Sequence, residues 1–261
     1  MQANSDGLSP SLRPFLGIGW NRALPAPFGF GNGIWPDGSN DYLKIPGLVG
    51  KTWPMEGCIE FWCSVQNSRA QREIEVTFSD NSNFRITAYL RTAPAIESAA
   101  RNATAAEPPG TYSYGQKIHV AYMWDATKFY AWGSASPNLL DSQIITSNIN
   151  LNITGVALCA QFDGSLCSST KLDEVRFYNK KLKIDELLLN DNNGVGNNPN
   201  NTENLFAWFS FEQFESLDFS PLQDGTDFRI GIRDRSGQNN HALPFNMITD
   251  PSNSNYVLKP F

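Results

Sequence analysis

Three successive runs of this chain place apolar side chains at every second position, and that period of two sets the class of fold. From Ile59 to Val65, one face carries Ile59, Phe61, Cys63 and Val65. Next, Ile74, Val76 and Phe78 alternate with Glu73, Glu75 and Thr77, and Phe84, Ile86, Ala88 and Leu90 alternate with Arg85, Thr87, Tyr89 and Arg91. Side chains of an extended chain point alternately to its two faces, so this pattern marks half-buried strands. Further strands are predicted near 116–124 and 127–132, joined at Asp125-Ala126, and near 154–162, 172–178, 205–211 and 228–245. Residues 92–115 read as a long loop, and only 183–191, with Ile184, Leu187 and Leu188, has helical spacing.

Many short strands with one short helix predict an all-β fold, a two-sheet antiparallel sandwich. The 261 residues are enough to bury a core without staples. Residues 1–34 read as an N-terminal arm or surface segment, 35–195 as the sandwich and 196–203 as an Asn-rich linker. Residues 204–261 read as a strand block plus tail, too few strands to bury a core alone.

The net charge of −6 gives no electrostatic footprint for nucleic acid. No run approaches the ~20 apolar residues of a membrane span, and Met1 to Pro14 does not read as a signal peptide. The chain is therefore expected to be made in the cytoplasm, without membrane insertion, and its sequons at Asn102, Asn152 and Asn200 carry little weight. Cys58, Cys63, Cys159 and Cys167 include no C-x-x-C pair. Cys58 and Cys63 point to opposite faces of one strand, and all four are expected to be reduced and mostly buried.

Several segments resemble the laminin-G-like, concanavalin A-like jelly-roll family. Phe30 to Pro46 looks like its "F-D-G-x-N-D-Y-V-x-I-P" strand, and Cys58-Ile59-Glu60-Phe61-Trp62 looks like "T-I-E-F-W". Gln116 to Ala121 is similar to "W-x-H-V-A", with Ile118 as a departure, and Phe129 to Gly133 resembles "L-Y-V-N-G". Leu172 to Leu182 is close to "I-D-E-V-R-I-Y-N-R-A-L". Leu205 to Glu212 with Asp234 to Ala242 looks like "L-V-A-W-W-x-F-D-E … D-S-S-G-N-G-N-H-G", a block that usually opens such domains but here comes last. It either completes this chain's own sandwich, the favoured reading, or pairs with a neighbouring copy. The arrangement also resembles phage structural or fibre proteins. The resemblance implies a fold more firmly than a function.

The nearest match to a glycosidase strand is Glu73-Ile74-Glu75-Val76-Thr77-Phe78. Phe78 stands where the second carboxylate would be needed, so Glu73 and Glu75 read as a solvated strand face. The two histidines, His119 and His241, read as a core residue and a turn residue. No catalytic residue is assigned. No cofactor is required, but the resemblance implies calcium, with Asp37, Asn40, Asp41 and Asp163 as candidate oxygen ligands; turn formation is their other reading. Trp35, Trp53, Tyr112 and Tyr114 lie in or beside predicted loops and are the candidate carbohydrate-binding aromatics, with packing as the competing reading.

The expected function is a non-catalytic binding or structural module. The first reading is a virion subunit (phage fibre, tail or capsid-decorating) with carbohydrate or host-surface adhesion. Its partners would be other protein subunits, as a homo-oligomer or with virion proteins, contacted through the N-terminal arm and the tail Tyr256 to Phe261. A soluble lectin-like carbohydrate-binding protein is the alternative, with a glycan as partner, and a glycoside hydrolase comes third.

Overall fold

The computed structural model describes residues 31–67, 71–88, 92–98, 103–144, 151–219 and 228–261. Residues 1–30 of the expected arm, positions 89–91 of the third alternating run and the sequon at Asn102 lie outside these. In chain order the first strands are β1 (Asn32–Ile34), β2 (Tyr42–Lys44), β3 (Gly57–Ser64), β4 (Arg72–Phe78), β5 (Asn83–Thr87) and β6 (Ala95–Ser98). They continue with β7 (Ala103–Ala106), β8 (Ile118–Trp124), β9 (Lys128–Gly133), β10 (Asp141–Ile144), β11 (Ile153–Leu158) and β12 (Lys171–Tyr178). After α1 (Ile184–Asp191) come β13 (Leu205–Phe209), β14 (Phe214–Asp218), β15 (Phe228–Ile232), β16 (Leu243–Phe245) and β17 (Leu258–Pro260).

Two antiparallel sheets form a jelly-roll sandwich. The first runs β10-β9-β8-β3-β12-β1-β17, with β13 also paired to β12, and the second runs β16-β2-β11-β4-β5-β6-β7. β14 and β15 pair with each other, and Ile232 of β15 bridges to Ala242 just before β16. The alternation read from the sequence sets the core: Ile59, Phe61 and Cys63 of β3 meet Ile74, Val76 and Phe78 of β4 in one buried cluster. In β12 the inward residues are Leu172, Val175 and Phe177, an odd spacing that a regular strand cannot give. The bulge between Asp173 and Arg176 supplies the extra residue, with Glu174 at a left-handed φ of 51°.

The C-terminal block packs within the chain. β13 pairs with β12 from Val175↔Phe209 to Tyr178↔Leu205, and β16 pairs with β2. The tail corrects one expectation: it is not a free contact arm. β17 pairs with β1, Val257 and Leu258 are buried, and Tyr256 packs against the core. The last three residues of segment 1–34 are likewise sheet, as β1. The expected loop 92–115 contains β6 and β7, whose Ala- and Ser-rich sequences carry little period-two signal. No described helix is long and apolar enough to cross a membrane.

Outside the sandwich, α1 covers the outer face of the first sheet. At its start the N–H of the N-cap residue Lys183 donates to Glu186 Oε2 at 2.9 Å, and it ends at Asn192 in the left-handed region. Leu187, with Leu182, buries against Cys58, Ala121, Met123, Trp132 and Tyr178, a second small core. All four cysteines are free and buried, with Cys58 in this cluster and Cys63 in the main one.

Candidate functional site

An open groove of about 610 Å³ lies on the rim of the sandwich, a size suited to a small ligand. One wall is the loop after β1, with Trp35, Asp37, Asn40 and Asp41; the segments around β12 and β17 add Lys171 and Lys259; Gln66, Asn246 and Asn255 complete its polar lining. A smaller cavity of about 270 Å³ adjoins it, shares Asp37 and Ser169, and reaches Gln71, whose Nε2 is buried without a partner.

The loop holds itself in shape. Asp37 Oδ1 accepts the Ser39 and Asn40 N–H groups, and Asp41 Oδ2 accepts the Asp37 N–H at 3.1 Å. Burial pushes the Asp41 carboxyl above its usual range; the Asp37 N–H opposes this and the Asp37 charge adds to it. Asn246 Nδ2 donates to the Asn40 carbonyl, and the Asn246 oxygen receives no hydrogen bond among the described residues. Gln66 Nε2 donates to Ser64, and its oxygen likewise receives no hydrogen bond among the described residues. These are hydroxyl-accepting positions.

Sheet register builds the other end of the groove. Ile34 pairs with Leu172 on one side and Leu258 on the other, and Gly33 pairs with Lys259. Since Ile34, Leu172 and Leu258 face the core, Trp35, Lys171 and Lys259 fall together on the outer face. Lys171 Nζ lies 3.3 Å from the centroid of the Trp35 ring, and Lys259 Nζ lies 5.8 Å from it. The Trp35 indole N–H is enclosed without a partner, so what this residue offers is its ring. Burial lowers the Lys171 pKa, and the Lys259 charge lowers it further.

Of the four candidate aromatics, the structure brings only Trp35 into the groove. Trp53 is a core residue: it is 1% exposed and stacks on Trp124 at 4.6 Å, with Phe78 and Phe84 against it. Its loop position concealed the fact that the loop turns inward. Tyr112 is buried as well, its hydroxyl donating to the Pro109 carbonyl at 2.8 Å. Tyr114 is exposed but does not line the groove. Among the calcium candidates, Asp37, Asn40 and Asp41 share the groove, whereas Asp163 belongs to a separate exposed turn and accepts Ser165 N–H and O–H. Asp37 and Asp41 supply two of the six to eight oxygens calcium takes, and among the described residues no group of three His, Cys, Asp or Glu is arranged to hold a metal ion. Asp163 does not line the groove that holds the other three.

Glu73 and Glu75 are not a solvated face. Glu73 is fully buried at a bulge between Arg72 and Ile74, which breaks the alternation that placed it outside. Its carboxylate accepts the Ala88 N–H and the Thr170 and Ser168 hydroxyls. Burial raises its pKa to about 7 against those three hydrogen bonds. Glu75 is covered by residues 161–162, accepting the Phe162 N–H and pairing with Arg85 at 3.0 Å.

A buried ionic cluster underlies α1. Glu60 Oε1 accepts from Arg176, Tyr178 and Asn190, and Arg176 also reaches Glu174. His119 lies between Glu60 and Asp191, stacked on Trp62. It is a core histidine, and none of these side chains lines the rim groove. His241 is a turn residue whose Nδ1 accepts the Asp234 N–H at 3.1 Å. Sequence reasoning missed Gln66, Lys171, Asn246, Asn255 and Lys259. Only the register between distant strands unites them, and no local motif records it.

No protein-family model and no curated protein matches the chain. Solved structures do. A candidate carbohydrate-binding protein from Bacteroides ovatus aligns at 15% identity and a TM-score of 0.55, covering 84% of this chain and 59% of its own. Domains LG4-5 of the mouse laminin alpha1 chain align at 12% identity and 0.44, covering 61% of this chain and 45% of theirs. A heptameric SAP-like pentraxin from Limulus polyphemus aligns at 11% and 0.38, covering 60% and 79%. The chain spans 59% of the length of the Bacteroides protein, and at 15% identity that likeness concerns the fold alone. The fold is a two-sheet antiparallel jelly-roll sandwich.

Proposed function

We propose that this is a non-catalytic carbohydrate-binding module whose ligand lies in the rim groove. The observation that carries the reading is the mixed lining of that groove: the amide oxygens of Gln66 and Asn246, the side chains of Asn40 and Asn255, two ammonium groups and an indole ring. A saccharide ring presents hydroxyls that both donate and accept, together with C–H faces, and this lining complements both. The two groove carboxylates sit in one turn, already engaged by backbone N–H groups, rather than facing each other as a hydrolytic pair. The fold shared with a candidate carbohydrate-binding protein is in keeping with the reading.

The test is calorimetric titration with an oligosaccharide panel, run with calcium and again with chelator. Wild type should bind at least one member. Asn246→Ala combined with Asn255→Ala should weaken that binding about tenfold, the loss of one to two hydrogen bonds, with the melting temperature nearly unchanged. Unaltered affinity in the double variant, or no binding across the panel, would remove the groove from consideration.

A further inference from the structure

The Trp35 end of the groove is chemically unlike the rest. Three neighbouring strands each deliver one part of it: β12 gives Lys171, the residue after β1 is Trp35, and β17 gives Lys259. Neither ammonium has an ion-pair partner among the described residues. The nearby carboxylates of Asp37 and Asp41 are turned to backbone N–H groups of their own loop. In a chain of net charge −6, two lysines are thus held against one ring without an internal counter-ion. Like charges brought close and partly desolvated repel, and a bound anion relieves both costs.

We propose that the saccharide bound here is acidic, its carboxylate or sulfate group seated between Lys171 and Lys259. This rests on the carbohydrate-binding reading and adds the class of sugar to it. The Trp35 ring orients Lys171 by a cation–π contact, leaving its N–H groups to donate to the anion. The sugar's neutral hydroxyls then run toward Asn246, Asn255 and Gln66.

The experiment compares ligands that differ only in charge. The full chain is titrated with tetragalacturonic acid and its methyl ester, and with a sulfated disaccharide and its desulfated parent. The acid of at least one pair should bind about tenfold tighter than its neutral form, and the gap should shrink at high salt. The pair with the larger gap identifies the acid as carboxylate or sulfate. In a Lys171→Gln, Lys259→Gln double variant the gap should vanish, with the charged and neutral forms binding alike. Lys128→Gln, an exposed site on β9, should keep the gap, as should Lys171→Arg. Equal binding of charged and neutral forms, or a gap that survives in the double variant, overturns the proposal and leaves the carbohydrate reading standing. Absence of binding to all four overturns the proposal, and the oligosaccharide panel then decides the carbohydrate reading.

Discussion

His119 Nε2 lies 3.4 Å from Glu60 Oε2, and its other nitrogen lies 3.3 Å from Asp191 Oδ1, with no solvent reaching the ring. Neither contact has hydrogen-bond geometry, so the attraction is one of charge. Burial disfavours the imidazolium, but Asp191 and Glu60 overcome that and raise its pKa. Burial would likewise raise the Glu60 carboxyl, yet His119, Arg176 and Tyr178 hold it at about 2. The cluster thus joins β3, β8 and β12 to the C-terminal end of α1.

A pH dependence follows from the raised histidine. Its stabilisation is complete below the unfolded value of about 6.5 and is lost as pH rises through the higher folded value. His119→Gln should therefore cost roughly 3 kcal/mol at pH 6, since it leaves buried carboxylates short of a partner. The difference from wild type should narrow in alkaline solution. Urea unfolding of both proteins at several pH values checks this; a gap that stays constant with pH rules out a protonated His119.

Glu73 predicts the opposite kind of mutant. Its pKa is raised to about 7, so folding favours the neutral acid. Stability from this group is full below its unfolded pKa near 4.5 and falls as pH rises through about 7. Glu73→Gln removes the charge and keeps an acceptor for the Ala88 N–H. The variant should match wild type near pH 4 and exceed it above pH 8, by at most about 3 kcal/mol. Melting curves across that range decide it, and a variant less stable than wild type at pH 8 contradicts the buried-acid account.

The tail gives a structural prediction. Truncation after Tyr256 removes β17 and the buried Val257 and Leu258 side chains, each 3% exposed. It also uncovers the edge of β1. A loss of about 3 kcal/mol is expected from the two side chains and the strand pairing. A contact arm would instead leave the melting temperature unchanged and alter only assembly, which light scattering reads separately.

These cases separate what is legible in the sequence from what is not. The alternation in β3, β4 and β5 is local, and it suffices to define the sandwich core. The helix at 183–191 is legible for the same reason, with Ile184, Leu187 and Leu188 at helical spacing. Glu73 escapes such a reading because a single bulge reverses which way a side chain points, and alternation alone carries no sign of it. The groove is half legible. Trp35, Asp37, Asn40 and Asp41 are close in sequence, so one segment shows them together, whereas Lys171 and Lys259 meet only through β1.

Trp53 separates these two kinds of aromatic most sharply. From sequence it shares with Trp35 a loop setting and a neighbouring proline, yet it stacks on Trp124 at an interplanar angle of 14° in the sealed core. Trp53→Ala should cost about 3–5 kcal/mol, as large aromatic deletions do, because Phe78, Phe84 and Trp124 lose a common partner. Trp53→Phe keeps most of that packing and should bind any groove ligand as wild type does. Trp35→Ala should behave the other way, with a small change in melting temperature and a clear loss of affinity, since the ring is half-buried and seats Lys171. Weakened binding in Trp53→Phe without a loss of stability would place the ligand elsewhere and break the assignment of Trp53 to the core.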